Sequence, residues 1–309
     1  MRAKKVLGIV LAGTLTLSAM SMSAMADEAP RIALLMASMT TEFFVQIEAE
    51  ARAYAEEVGV DLEVYTCDND SAKELANMET ILSDAPDIIL YTPNDSDAAT
   101  VCVEKANEAG VPVITFDRGS NGGEVVSHIA SDNELGGEMA GEYIREIFPD
   151  GAKVAELQGI LATNVAQLRG AGFNKIIDET DNLELVAQQS ANFDKSEGMT
   201  VFENMLQAHD EIEAVFAAND EMALGAMEAC KAAGRDDIKI VGFDASPDAV
   251  VAVEAGDMAA TIAQLPVKII DTTIDTAIAY LNGEEVEKEI GVELQLVTQE
   301  SLAAETEAE

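Results

Sequence analysis

The chain has 309 residues, room for two domains of ordinary size, with 48% apolar residues, 5% aromatics and no tryptophan. Acidic residues outnumber basic ones 58 to 18, for a net charge of −40. That balance disfavours nucleic acid as a partner, because such binding rests on cationic contacts with phosphates; it fits a solvated acidic surface.

Residues 1–26 read as a cleavable export signal. Arg2, Lys4 and Lys5 form a positive start, and Val6–Leu17 is a largely apolar run too short to span a bilayer. Ala24-Met25-Ala26 is a small-x-small cleavage pattern, which puts Asp27 at the new N-terminus. The signal holds three of the basic residues and no acids, so the rest carries 15 basic against 58 acidic residues, or −43. No Cys lies near the cleavage site, so a lipid anchor is not indicated. The expected location is the periplasm or another extracytoplasmic space, with a retained membrane anchor as the alternative. Cys67, Cys102 and Cys230 are odd in number and form no CxxC. Buried free thiols are expected, with one disulfide as the alternative in an oxidising compartment.

After a short lead, Ile32–Met36 reads as a strand. The polar turn Ser38-Met39-Thr40-Thr41-Glu42 leads to a helix over Phe43–Val58, with apolar residues at helical spacing and a stop at Gly59. Leu62–Tyr65 is a second strand, Asp68-Asn69-Asp70-Ser71 a turn and helix cap, and Ala72–Leu82 a helix. Asp87–Tyr91 is a third strand. Pro93-Asn94-Asp95 opens a helix over 96–109, stopped by Gly110, and Val111–Phe116 is a fourth strand that ends in Asp117-Arg118. Strands without a polar face, alternating with helices, predict an α/β fold with a parallel sheet covered on both sides.

The plan then repeats. Lys153–Leu157 corresponds to the first strand and Leu183–Ala187 to the second. Ala214–Ala218 followed by Asn219-Asp220 corresponds to the third strand and its polar turn. Ile238–Phe243 followed by Asp244 corresponds to the fourth strand and Asp117. Two Rossmann-like units with parallel sheets are therefore expected, whether by duplication or by the likeness of any two such units. Beyond them, Thr261–Gln264 reads as a strand, Val267–Leu281 as a helix and Val292–Thr298 as a last strand. This tail implies that the chain crosses back between the units. Ser301–Glu309, acidic and Ala-rich, reads as a frayed, disordered tail.

Enzyme signatures are missing. No GxGxxG follows a strand, Arg169-Gly170-Ala171-Gly172 lacks the third glycine, and there is no P-loop, HExxH or GxSxG. His128, in a polar loop, and His209, before an acidic turn, have no metal-ligand spacing and read as surface or hydrogen-bonded residues. Asp68-Asn69-Asp70 starts like a calcium loop, but its Gly and terminal Glu are out of place, so a helix cap is expected. No cofactor or metal is implied.

Polar residues at strand carboxyl ends remain: Asp117, Arg118, Arg169, Asn219 and Asp244. That edge is where open parallel sheets bind ligands. Two acids, two guanidinium groups and an amide sum to zero charge. The set suits a neutral polyhydroxylated ligand, because carboxylates accept from hydroxyls while Arg donates in a fixed fork. Phe43, Phe44 and Phe193 are placed to pack on the C–H faces of a sugar.

From Arg31 to Gln299 the chain resembles the type 1 periplasmic sugar-binding family of bacterial ABC import, its ribose-binding members above all. The densest blocks are GEVVSHIASDNELGG (123–137), NDEMALGAM (219–227), VGFDASPD (241–248) and ATIAQLP (260–266). The resemblance implies sugar contacts at Phe43, Phe44, Asp117, Arg118, Arg169, Phe193, Asn219, Asp244 and Gln264. The ribose-binding pattern has Asn-Asn-Pro before the Phe pair, where this chain has Thr40-Thr41-Glu42. Thr41 is therefore a contact that departs from the pattern and leaves the identity of the sugar open.

The resemblance also implies a three-strand hinge near Ser131-Asp132, Gln264-Leu265 and Glu293-Leu294. It joins an N-terminal lobe (31–131 plus 265–293) to a C-terminal lobe (132–264 plus 294–300). It implies a monomer that closes on a monosaccharide and docks an ABC permease, with a chemoreceptor as a further partner the sequence does not separate. A sugar-responsive repressor shares this architecture but needs an N-terminal helix-turn-helix where the signal stands. An α/β enzyme acting on sugars is the other rival, through an Asp pair in a cleft.

Overall fold

The structure is a computed structural model that describes residues 29–308. The export signal read over 1–26 lies outside the described residues. In chain order the elements are β1 (Arg31–Met36), α1 (Glu42–Val58), β2 (Asp61–Thr66), α2 (Ser71–Asp84), β3 (Ile88–Thr92), α3 (Ala99–Ala109), β4 (Val113–Phe116), β5 (Ser127–Ser131), α4 (Asn133–Ile147), β6 (Ala152–Gln158) and α5 (Asn164–Asp178). There follow β7 (Leu183–Ser190), α6 (Lys195–Ala208), β8 (Ala214–Ala217), α7 (Asp220–Ala233), β9 (Lys239–Asp244), α8 (Pro247–Ala255), β10 (Ala260–Ala263), α9 (Pro266–Leu281), β11 (Glu289–Val292), β12 (Gln295–Val297) and α10 (Gln299–Ala308).

The strands form two six-stranded sheets, ordered β11-β5-β4-β3-β1-β2 and β12-β10-β9-β8-β6-β7. Position by position, the second order repeats the first. Every pairing is parallel except β10 with β12. The central strands β3, β4 and β8 are buried along their whole length, as is β10. Helices cover both faces, as parallel sheets require. α1 buries Phe43, Phe44, Ile47, Ala51 and Ala55 in the same core as Ile269, Ile270, Ile274 and Ala277 of α9. It ends where Gly59 adopts a left-handed φ of 74°.

The chain passes between the sheets three times: after Ser131, after Ala263, and between Val292 and Gln295. The single last strand expected over Val292–Thr298 is thus two strands in different sheets. Glu293 and Leu294 separate them.

Three other expectations change. His128 is not in a loop: it lies on β5, where the Thr115 hydroxyl and its Nδ1 are 3.0 Å apart. Pairing with β4 and β11 makes a strand of a segment with no apolar run. α3 starts at Ala99 because the Asp95 carboxylate takes the amides of Asp97 and Ala98 in a turn before the helix. The stretch 301–309, expected as a disordered tail, is helical to Ala308 in α10. Ala and Glu are strong helix formers, the Thr298 and Ser301 side chains each accept the other's amide, and Leu302 packs on the core of the second lobe. Cys67, Cys102 and Cys230 are buried free thiols. Asp70 caps α2 through the amides of Ala72 and Lys73.

Candidate functional site

The carboxyl ends of the two sheets face one cavity. Its empty space is about 300 Å³, and it is lined by Thr41, Phe43, Phe44, Asp117, Arg118, Val165, Arg169, Phe193, Asn219, Asp244 and Gln264. All ten residues singled out in the sequence meet there. Val165, from the first turn of α5, is the one that sequence reasoning missed. A valine near a helix start carries no chemical signature.

From the first lobe come the aromatic pair and an acid–base pair. Phe43 and Phe44 open α1 and pack edge to face, with centroids 5.4 Å apart. Asp117 follows β4 directly, with φ at +54°, a region costly for a residue with a side chain. Next to it, Arg118 Nε stands 3.8 Å from Asp117 Oδ2, and Nη1 donates to the Pro93 carbonyl at 3.4 Å. The Arg118 guanidinium lies 5.1 Å from the Phe44 ring and 5.5 Å from the Phe193 ring, so it stands between one aromatic of each lobe. Thr41 precedes α1, and its hydroxyl caps no helix amide.

From the second lobe, Arg169 is fixed on three sides. Nε donates to Asn133 Oδ1 at 2.8 Å, Nη1 donates to the Ala218 carbonyl at 2.7 Å, and the guanidinium stacks 3.8 Å from the Phe243 ring. Its helix sits close to α4 because of two glycines. A Cβ on Gly137 would be 2.1 Å from the Arg169 carbonyl, and one on Gly172 would be 2.0 Å from that of Glu134. Arg169 Nη1 is also 3.7 Å from Asp244 Oδ1, which accepts from Gln264 Nε2 at 2.9 Å. Asn219 caps α7 by accepting from the Met222 amide at 3.0 Å, while its Nδ2 donates to the Phe193 carbonyl at 3.3 Å.

Burial sets the electrostatics. It raises the carboxyls of Asp117 and Asp244; Arg118 and Arg169 oppose the rise at Asp117, while Arg169 and the Gln264 bond oppose it at Asp244. Burial lowers both guanidinium groups, opposed chiefly by Asp117 at Arg118 and by Asp244 at Arg169. Two donor–acceptor couples of opposite charge thus face a small space. Arg118 Nε and Gln264 Oε1 are buried without a hydrogen-bond partner. They are a donor and an acceptor, and a hydroxyl can satisfy either.

Loops of the two lobes meet beside the cavity. The Ser96 amide donates to the Ala162 carbonyl at 2.9 Å, the Asn164 amide to Ser96 Oγ at 3.0 Å, and the Gly119 amide to Asn164 Oδ1 at 3.1 Å.

The sequence profile of the periplasmic binding protein domain matches residues 32–285. This chain belongs to the periplasmic binding protein family. It is 44% identical over 300 residues to the ribose import binding protein RbsB of Escherichia coli (strain K12), covering 97% of this chain and 100% of that one. Among solved structures, it superposes with TM-score 0.83 and 31% identity on an ABC transporter periplasmic solute binding protein from Actinobacillus succinogenes 130z with bound D-allose, covering 89% and 99% of the two chains. It superposes with TM-score 0.84 and 32% identity on an ABC transporter solute binding protein from Bacillus halodurans C-125 with bound myo-inositol, covering 92% and 99%. As a periplasmic binding protein the chain is a solute-binding protein, not an enzyme. Among the described residues no helix is long and apolar enough to cross a membrane.

Proposed function

We propose that this periplasmic binding protein captures a monosaccharide in the cavity between its lobes and delivers it to an ABC importer. The observation that carries the reading is the cavity itself. Two carboxylates, two guanidinium groups, two amides and three aromatic rings, drawn from both lobes, line one space of about 300 Å³. Charged groups and aromatic rings packed around so small a space suit one sugar ring rather than an oligosaccharide. Asp117 and Asp244 accept from sugar hydroxyls, Arg118 and Arg169 donate to ring and hydroxyl oxygens, and the Phe rings cover the C–H faces. A sugar lacking one of the hydroxyls leaves a buried charged group unpaired, which is the source of selectivity.

Ribose is the first candidate, given the relative named for ribose import. Thr41 favours a second reading within the same class. A single hydroxyl stands where the ribose-binding pattern has an amide, and structural neighbours hold D-allose and myo-inositol. A hexose or a cyclic polyol is that second reading.

In this account the three crossings at Ser131-Asp132, Gln264-Leu265 and Glu293-Leu294 act as the hinge between two lobes. The open form admits sugar, and the sugar selects the closed form by binding it better. The protein works as an exported monomer. The closed form that docks the permease is the same form a chemoreceptor would read. A thermal-shift screen of pentoses, hexoses and polyols tests the proposal: ligand at a hundred times its Kd adds about 2.7 kcal/mol, a rise of several degrees in Tm. A screen without a single shift contradicts it.

A further inference from the structure

We infer that Asp220 is the positioning residue for Asp244: its buried carboxylate holds the turn that aims Asp244 into the cavity. The inference rests on the cavity being a sugar site and adds a residue that does not line it.

Asp220 opens α7 next to Asn219 and is 1% exposed. An acid at a helix start gains from the helix dipole without being buried, and its half-buried neighbour Glu221 already fills that place. Burying a second carboxylate is costly and needs a reason. Both of its oxygens are committed to the turn after β9. Oδ2 accepts from the Ser246 amide at 2.7 Å, and Oδ1 accepts from the Thr261 hydroxyl at 2.7 Å. Thr261 Oγ1 accepts in turn from the Ala245 amide at 3.2 Å. The two amides that follow Asp244 therefore both end on one carboxylate, the first through a hydroxyl and the second directly.

The turn needs holding. Asp244 has φ of +114° and Ala245 of +53°, left-handed conformations that strain any residue with a side chain. β9 makes room for the clamp, because a Cβ on Gly242 would lie 2.2 Å from Asp220 Oδ1. Residues of α7, β9 and β10 thus converge to fix one strained turn, and the side chain that turn presents to the cavity is Asp244.

The test compares Asp220→Asn, Thr261→Val and Asp244→Asn in the full chain. Asp220→Asn keeps the volume but turns one acceptor into a donor. Thr261→Val removes the relay to Ala245 at nearly constant shape. Ribose and its monodeoxy analogues are titrated by calorimetry, with Tm recorded. Asp220→Asn and Thr261→Val should each weaken ribose binding about 10- to 100-fold while folded, as expected when a buried charged contact is misaligned. The analogue that suffers least from Asp244→Asn should also suffer least from these two. Exchange of the Ser246 amide with solvent should accelerate in Asp220→Asn. Parent-like affinity in a folded variant, an equal loss for every analogue, or unchanged Ser246 exchange would overturn the assignment. A parent that binds no sugar counts against the reading of the cavity alone, and the Ser246 exchange still decides whether the clamp exists.

Discussion

Ser96 and Asn164 join the two lobes beside the cavity: the Asn164 amide donates to Ser96 Oγ at 3.0 Å, and the Asn164 side chain accepts from the Gly119 amide at 3.1 Å. Neither residue lines the cavity. Under the proposed hinge closure they stabilise the closed arrangement of the lobes, so they act on affinity through the closing equilibrium. Asn164→Ala removes the side-chain bond to Gly119. At about 1 kcal/mol per hydrogen bond, sugar affinity should fall roughly fivefold, mainly through faster dissociation. Stopped-flow dissociation rates check this, and an unchanged rate contradicts it.

Arg118 bridges the lobes through two rings and its guanidinium fork. Arg118→Lys keeps the charge but loses the guanidinium's contacts with the Phe44 and Phe193 rings and its paired donors. Sugar affinity should drop by about two orders of magnitude, the cost of truncating a buried charge-assisted contact. A loss below threefold by calorimetry would show that the fork is not used.

Thr41 is the place where the site departs from the ribose-binding pattern. Thr41→Asn restores an amide at the start of α1. It should tighten ribose binding about fivefold, the worth of one added hydrogen bond. If ribose binding weakens and another sugar binds the parent better, that other sugar is the ligand.

Asp271, on α9, has a buried Oδ1 without a partner. Burial, with Glu50, Asp275 and Glu57 nearby, pushes its carboxyl up to about 6. Its folded pKa lies above the unfolded value, so its ionised form destabilises the fold. The stability it withholds returns as pH falls through about 6 toward the unfolded value near 4. Asp271→Asn should therefore raise Tm at pH 8 and lose that advantage at pH 4. Equal Tm values at pH 8 would contradict this.

The sequence shows the sheets and the cavity clearly where chemistry and periodicity coincide. Asn219 and Asp244 end apolar runs, and both reach the cavity they were placed beside. Asn219 spends its side-chain oxygen on the α7 cap and keeps its amide donors for Phe193 and the cavity side. What stayed hidden was set by tertiary contact. β5 carries Ser127, His128 and Ser131 and becomes a strand only between two partners. The break at Glu293-Leu294 appears only when the strands join different sheets. α10 looked disordered by charge, yet Leu302 and the Thr298–Ser301 pair anchor it. Asn133, which holds Arg169, gives no local sign of that task.

The central claim is that residues of both lobes grip one monosaccharide. Calorimetric titration of the parent and of Asp244→Ala with the sugar that ranks first in the thermal screen tests it most directly. The account predicts one site per chain in the parent and no measurable binding in a folded Asp244→Ala. Undiminished affinity in Asp244→Ala would place the sugar elsewhere and contradict the account.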